Sequence, residues 1–194
     1  WHPPYGVRFR LRLDAPRLWF ATPVPYTLAR CRQHLEALSR RCQFFRVEDL
    51  GPSHYSAQHG FPLQLVKVAK PGSAADRLRV VVIAGEHPAE SAGMYACEGM
   101  LEELLRTHDL LADFSFWLVP VVNVDGVAFG RTYHNVDPVD PGRPGANLNR
   151  DWGAHTQPEN QALWRLLQEV RPHCLLDLHN GRHRRELELL SVPD

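Results

Sequence analysis

The chain has 194 residues, enough for one domain with a sizeable buried core. Its 22 Lys and Arg balance 22 Asp and Glu, so no charge excess points to nucleic acid or to an anionic membrane surface. No apolar run reaches bilayer-spanning length and the N-terminus lacks a signal-peptide pattern, which makes a soluble, cytoplasmic protein the expectation.

Val7-Arg8-Phe9-Arg10-Leu11-Arg12-Leu13 alternates apolar and basic residues, the pattern of a strand with one wet face. Leu18 to Ala21 forms its expected partner, so residues 1–21 read as a β hairpin, the tail of an N-terminal β domain. Residues 22–194 read as a second domain. Pro25 opens a helix with Leu28, Cys31, Leu35 and Leu38 at helical spacing. Strands are expected at 44–47, 63–68 and 80–84. A helix over 90–106 then carries Met94, Cys97, Met100, Leu101, Leu104 and Leu105 on one face. Phe114 to Val122 is another buried strand. Regular structure stops from Asn123 to Arg150, and long loops in compact domains are usually functional. A helix begins at Pro158, a residue suited to the first turn, and Cys174 to Leu178 is a strand that ends at His179. The four cysteines form no Cys-x-x-Cys pair, and Cys97 and Cys174 are expected as buried, reduced thiols. Alternating strands and helices indicate an α/β domain with a mixed, largely parallel central sheet flanked by helices.

Ligand sites in such sheets lie beyond the carboxyl ends of the strands. His87, Asn123 and His179 each follow directly on such a strand. His87-Pro88-Ala89-Glu90 places an imidazole and a carboxylate one turn apart. Alone, that pair fits a solvated helix start better than a metal site, with Glu90 at the positive end of the helix. Together with His179 it forms a set of two histidines and one carboxylate, which suits a catalytic Zn2+ with a position left open for water. A metal so held can polarise a carbonyl and lower the pKa of water toward ~7. At the end of the long loop, Arg150 can grip a carboxylate in a two-pronged fashion, and Asn149 can add a hydrogen bond.

These motifs resemble the zinc carboxypeptidases. His87-Pro88-Ala89-Glu90 with the distant His179 is similar to that family's metal motif. Asn123-Val124-Asp125-Gly126 resembles its Asn-Pro-Asp-Gly turn, with Val124 in place of Pro. Asn147-Leu148-Asn149-Arg150-Asp151-Trp152 resembles its Asp-x-Asn-Arg-x-Trp segment, and Pro158-Glu159 its next helix start. Phe20-Ala21 with Pro25-Tyr26-Thr27 is similar to the cytosolic carboxypeptidase branch, where a small β domain precedes the catalytic one and some members trim acidic tails. The resemblance implies that His87, Glu90 and His179 bind one zinc ion. It implies that Asn149 and Arg150 hold the terminal carboxylate of a peptide or protein substrate, and that an arginine of the long loop, Arg131 or else Arg143, faces the developing oxyanion.

Two departures qualify it. Asn147 stands where the family commonly has an Asp behind the first zinc histidine, so an amide replaces a charge. The family's general-base Glu and mobile Tyr lie well beyond the last zinc histidine, whereas only Asn180 to Asp194 follow here. Glu186 and Glu188 read as solvated strand residues. The expectation is therefore a domain truncated at its C-terminus, with Leu187 to Val192 as one further strand. The leading reading is a zinc-dependent carboxypeptidase-like hydrolase. An amide hydrolase of the aspartoacylase type, and a binding module that has kept the fold and lost turnover, are the alternatives.

Overall fold

The computed structural model describes residues 24–71 and 77–180, together with Arg10, Arg12, Arg17 and Ala21. The expected hairpin strands before residue 22, the strand at 187–192, and Glu186 and Glu188 lie outside the described residues.

Helix α1 (Leu28–Ser39) starts where the Thr27 hydroxyl accepts the Arg30 backbone N–H, and it buries Cys31, Leu35 and Leu38. Strand β1 (Phe45–Gly51) leads through the single turn α2 (Ser56–His59) to β2 (Leu63–Val68). Strand β3 (Leu78–Ala84) feeds helix α3 (Ser91–Thr107), and β4 (Phe114–Val119) is followed by the short helix α4 (Val124–Ala128). Helix α5 (Pro158–Val170) has Pro158 in its first turn and returns the chain to β5 (Cys174–Leu178).

The five strands form one sheet in the order β1-β2-β4-β3-β5. The β1–β2 and β2–β4 pairs are antiparallel, whereas β4, β3 and β5 run parallel. The site-bearing half is thus the parallel half, and β3 is its centre. Alternate β3 residues enter two different cores, as a period of two demands. Val80, Val82 and Ala84 pack with Met94, Cys97, Leu101 and Leu104 of α3. Val81 and Ile83 pack with Leu163, Leu166 and Val170 of α5. Each Val, Ile, Leu or Met among them contributes about 1.5–3 kcal/mol when fully buried, so the apolar run of β3 serves both helical layers at once.

Two glycines bring the parallel ends together. Gly85 follows β3 at φ +73°, a conformation that L side chains rarely adopt, and turns the chain over Met94. Gly93 lets α3 lie against β5, because a Cβ there would meet the Leu178 carbonyl oxygen at 2.3 Å.

The long connection from Asn123 to Arg150 carries more regular structure than its composition suggested: α4, a bridge between Val136 and Pro144, and a 3-10 turn at Leu148–Arg150. Local side-chain bonds build it. Asn123 accepts the Gly126 N–H, and Asn147 accepts the Asn149 N–H. Cys97 is buried as expected, but Cys174 is exposed, since β5 is the outer strand of the described sheet and neither of the two cores includes it. No helix among the described residues is long and apolar enough to cross a membrane.

Candidate metal centre

Beyond the ends of β3 and β4 the backbone is cross-tied. Val122 N–H donates to the Ala84 carbonyl (2.9 Å) and Asn123 N–H to the Gly85 carbonyl (3.0 Å). The buried Asn123 side chain adds a bond from Nδ2 to the Glu86 carbonyl (3.0 Å). These bonds fix residues 85–90 as a rigid shelf. His87 is buried on it, and Glu90 sits at the start of α3. His179 comes from the end of β5.

The three side chains meet. Glu90 Oε1 lies 3.1 Å from His87 Nδ1, and Glu90 Oε2 lies 2.8 Å from His179 Nδ1. The two rings are 4.9 Å apart at their centroids. One ligand atom from each residue lies within 4.8 Å of the others, the spacing of a shared ion. The far nitrogens are spoken for. His87 Nε2 is 3.1 Å from Asn147 Oδ1, which also accepts the Asn149 N–H, so this oxygen is the acceptor and Nε2 carries the proton. His87 Nδ1 faces the Glu90 carboxylate. His179 Nε2 faces Asp177 Oδ2 at 3.0 Å and turns Nδ1 to the same carboxylate. Both Nδ1 atoms and the Glu90 carboxylate converge on one point, where a ring proton or a cation can sit between them. This donor set fits Zn2+ with a fourth position open.

The electrostatics agree. Burial works against the charge on Glu90, yet the Asn180 N–H and His179 hold its carboxyl below the usual range. Asp177 first, and then Glu86, push the His179 imidazole up to about 11. The proton held there marks a place where positive charge is strongly favoured, and a divalent cation competes for the same place.

Asn149 and Arg150 flank the cluster. Asn149 Nδ2 lies 3.5 Å from His179 Nε2, and the exposed Arg150 binds its neighbour's carbonyl through Nη1 at 3.3 Å. Among the described residues no carboxylate forms an ion pair with Arg150, which leaves its guanidinium to solvent or to an anion. Arg131 is engaged elsewhere. Its Nη2 donates to the carbonyls of Pro141 and Arg143, bracing the loop, while Arg143 pairs with Asp140 at 3.3 Å. The structure thus brings His87, Glu90, His179 and the Asn149 amide together, with Arg150 next to Asn149 in the chain, and turns the Arg131 guanidinium to the loop.

Sequence reasoning passed over three groups. Glu86 is buried beside His179 and takes the Trp152 indole N–H at 2.8 Å. Trp152 thereby ties the Asn149-Arg150 segment to the shelf. Asp177 is two residues before His179, so strand alternation alone places both on one side. Glu86 carries no such signal, since its position depends on the Gly85 turn. Asp125 proves to be a brace: fully buried, it accepts from Ser53 Oγ, Tyr55 N–H (3.2 Å) and His59 Nε2 (2.8 Å).

Comparison with known proteins agrees with the geometry. The zinc carboxypeptidase family model matches residues 31–181, and the chain belongs to that family. It is 29% identical to cytosolic carboxypeptidase 1 of Danio rerio over 94% of the chain and 17% of that protein. It is 29% identical to human cytosolic carboxypeptidase 6 over 69% of the chain and 26% of that protein. Among solved structures, a metallo-carboxypeptidase from Burkholderia cenocepacia superposes with a TM-score of 0.70 at 27% identity, covering 81% of this chain and 42% of that one. A metallo-carboxypeptidase from Pseudomonas aeruginosa, in complex with (2-guanidinoethylmercapto)succinic acid, gives 0.65 at 27% identity over 81% and 40%. The chain therefore spans about a sixth to a quarter of these curated relatives and less than half of these solved chains.

Proposed function

We propose that the chain carries the zinc-binding and carboxylate-binding part of a metallocarboxypeptidase that removes C-terminal amino acids from peptides or proteins. The observation that supports it best is the convergence of His87 Nδ1, His179 Nδ1 and the Glu90 carboxylate beside Asn149 and Arg150. Bound there, zinc would supply a Lewis acid that polarises the scissile carbonyl and acidifies water. The protein's own contribution is placement. The shelf at 85–90 holds two ligands against the third, and Asn147 and Asp177 fix the ring tautomers. Arg150 presents a two-pronged donor to a terminal carboxylate, with Asn149 between it and the rings. The succinic acid compound held by the Pseudomonas relative carries carboxylates too, in keeping with an anion-binding role here.

Arg131 is proposed as the oxyanion-facing arginine on resemblance alone; to serve, its guanidinium must leave the Pro141 and Arg143 carbonyls. The cytosolic naming of the relatives supports a cytoplasmic location. We likewise place the start of the catalytic domain at residue 22. Release of C-terminal residues from a peptide library, followed by mass spectrometry with and without zinc, tests the reading. Activity that depends on zinc and falls in Glu90→Ala is expected. The fall should exceed the roughly 10–100-fold that loss of an outer-shell partner costs. Zinc binding with no release from any peptide would leave a binding module in its place.

A further inference from the structure

The two histidines differ in what stands behind them. His87 Nε2 meets a neutral amide oxygen, Asn147 Oδ1, at 3.1 Å. His179 Nε2 meets two carboxylates, Asp177 Oδ2 at 3.0 Å and Glu86 Oε2 at 3.4 Å. Glu86 is 1% exposed; its Oε1 takes the Trp152 indole N–H, whereas its Oε2 makes no hydrogen bond of its own. A buried carboxylate with one oxygen unmatched is costly to keep unless positive charge lies close by. The nearest candidate is the N–H edge of His179, which becomes more positive when Nδ1 binds a cation.

Both carboxylates lie at the Nε2 edge, while Nδ1 faces Glu90 across the ring. The imidazole stands between them and any water on the metal side. Glu86 and Asp177 can therefore act on chemistry at that position only through His179. Anionic acceptors behind a ligand imidazole fix its tautomer and raise its basicity. Asp177, with the shorter contact and the same-side position on β5, has the better geometry; Glu86 is held in reserve by Trp152.

We propose that Asp177 and Glu86 are positioning residues that jointly hold His179 Nε2–H and make His179 the stronger of the two imidazole zinc ligands. This rests on the metal reading above.

The test is zinc affinity of the full chain by competition with a chromophoric chelator, with cobalt(II) absorption spectra and thermal unfolding of the metal-free form. Asp177→Asn should weaken zinc binding by roughly 10–100-fold, the usual cost of an outer-shell partner. Glu86→Gln should weaken it less, and the double variant more than either. The cobalt bands should shift in each, Asp177→Glu should recover most of the affinity, and the metal-free variants should unfold at lower midpoints, since the protonated His179 loses a counter-charge, yet still in one cooperative transition. One zinc per chain with unchanged affinity in both variants would overturn the proposal and leave the metal reading intact. So would metal-free variants with no cooperative unfolding transition, because that marks a structural brace. A second equivalent of metal that vanishes in Asp177→Asn would also overturn it, by placing a cation on Nε2. Wild-type chain that binds no zinc would overturn both readings.

Discussion

Glu90 and His179 are 89 residues apart in the chain and 2.8 Å apart in space, joined by Oε2 and Nδ1. Their meeting depends on β3 and β5 running parallel side by side, paired from Val80 with Cys174 to Ala84 with Leu178. With no metal bound, the proton on His179 is held by Asp177, Glu86 and Glu90, with a pKa near 11. Loading zinc at pH 8 must therefore expel about one proton from this ring. Calorimetry in buffers of different ionisation enthalpy should show a slope near one proton per zinc. Because the raised pKa favours the protonated ring, zinc affinity should climb with pH throughout the neutral range.

Gly93 is the contact through which α3 meets β5. Gly93→Ala would set a methyl 2.3 Å from the Leu178 carbonyl oxygen, backbone that cannot swing aside. Overpacking of this kind costs typically 1–3 kcal/mol. Because the displaced strand carries His179, the variant should lose zinc affinity along with stability. Gly99→Ala, in the same helix and with open space around it, should lose neither.

Glu159, in the first turn of α5, is completely buried, and among the described residues neither of its carboxylate oxygens has a hydrogen-bond partner. Burial pushes its carboxyl up to about 7, and the nearby Asp125 and Asp151 add to this. A carboxyl whose folded pKa is raised favours the folded state while protonated. Its contribution is complete below the unfolded value near 4.5 and is lost as pH rises to 7. The full shift corresponds to roughly 3 kcal/mol. Urea unfolding at pH 5 and pH 8 should show the wild type losing stability over this interval, and Glu159→Gln should flatten that part of the profile.

Arg150→Ala should leave zinc affinity unchanged, because among the described residues the guanidinium bonds only to the Asn149 carbonyl. It should weaken binding of peptides with a free terminal carboxylate by about 1.5–3 kcal/mol, the worth of a hydrogen bond to a charged group. Peptide amides should bind the variant and the wild type alike. Arg150→Lys should recover only part of the loss, since an ammonium cannot make the two-pronged contact.

Much of this site was legible in the sequence because its parts sit at strand ends. Apolar runs locate β3, β4 and β5, and the residues just after them are the ones an α/β sheet presents. Hence His87, Glu90 and His179 could be assembled before any coordinates. What stayed hidden depends on turns and on neighbours distant in sequence. Glu86 differs from an ordinary surface glutamate only because Gly85 turns it inward toward Trp152, 66 residues away. The bracing role of Arg131 needed the path of the 131–143 loop, which periodicity does not encode. Cys174 had the apolar neighbours of a core strand, but its exposure follows from which strands flank β5, a property of the sheet rather than of the segment.

An anomalous difference map at the zinc absorption edge, from crystals of the zinc-loaded chain, tests the metal centre most directly. One peak is expected at about 2.0–2.2 Å from His87 Nδ1, His179 Nδ1 and a Glu90 carboxylate oxygen, with no fourth protein ligand. Zinc absent from that position, or held instead by the exposed Cys174 or by surface histidines, would contradict it.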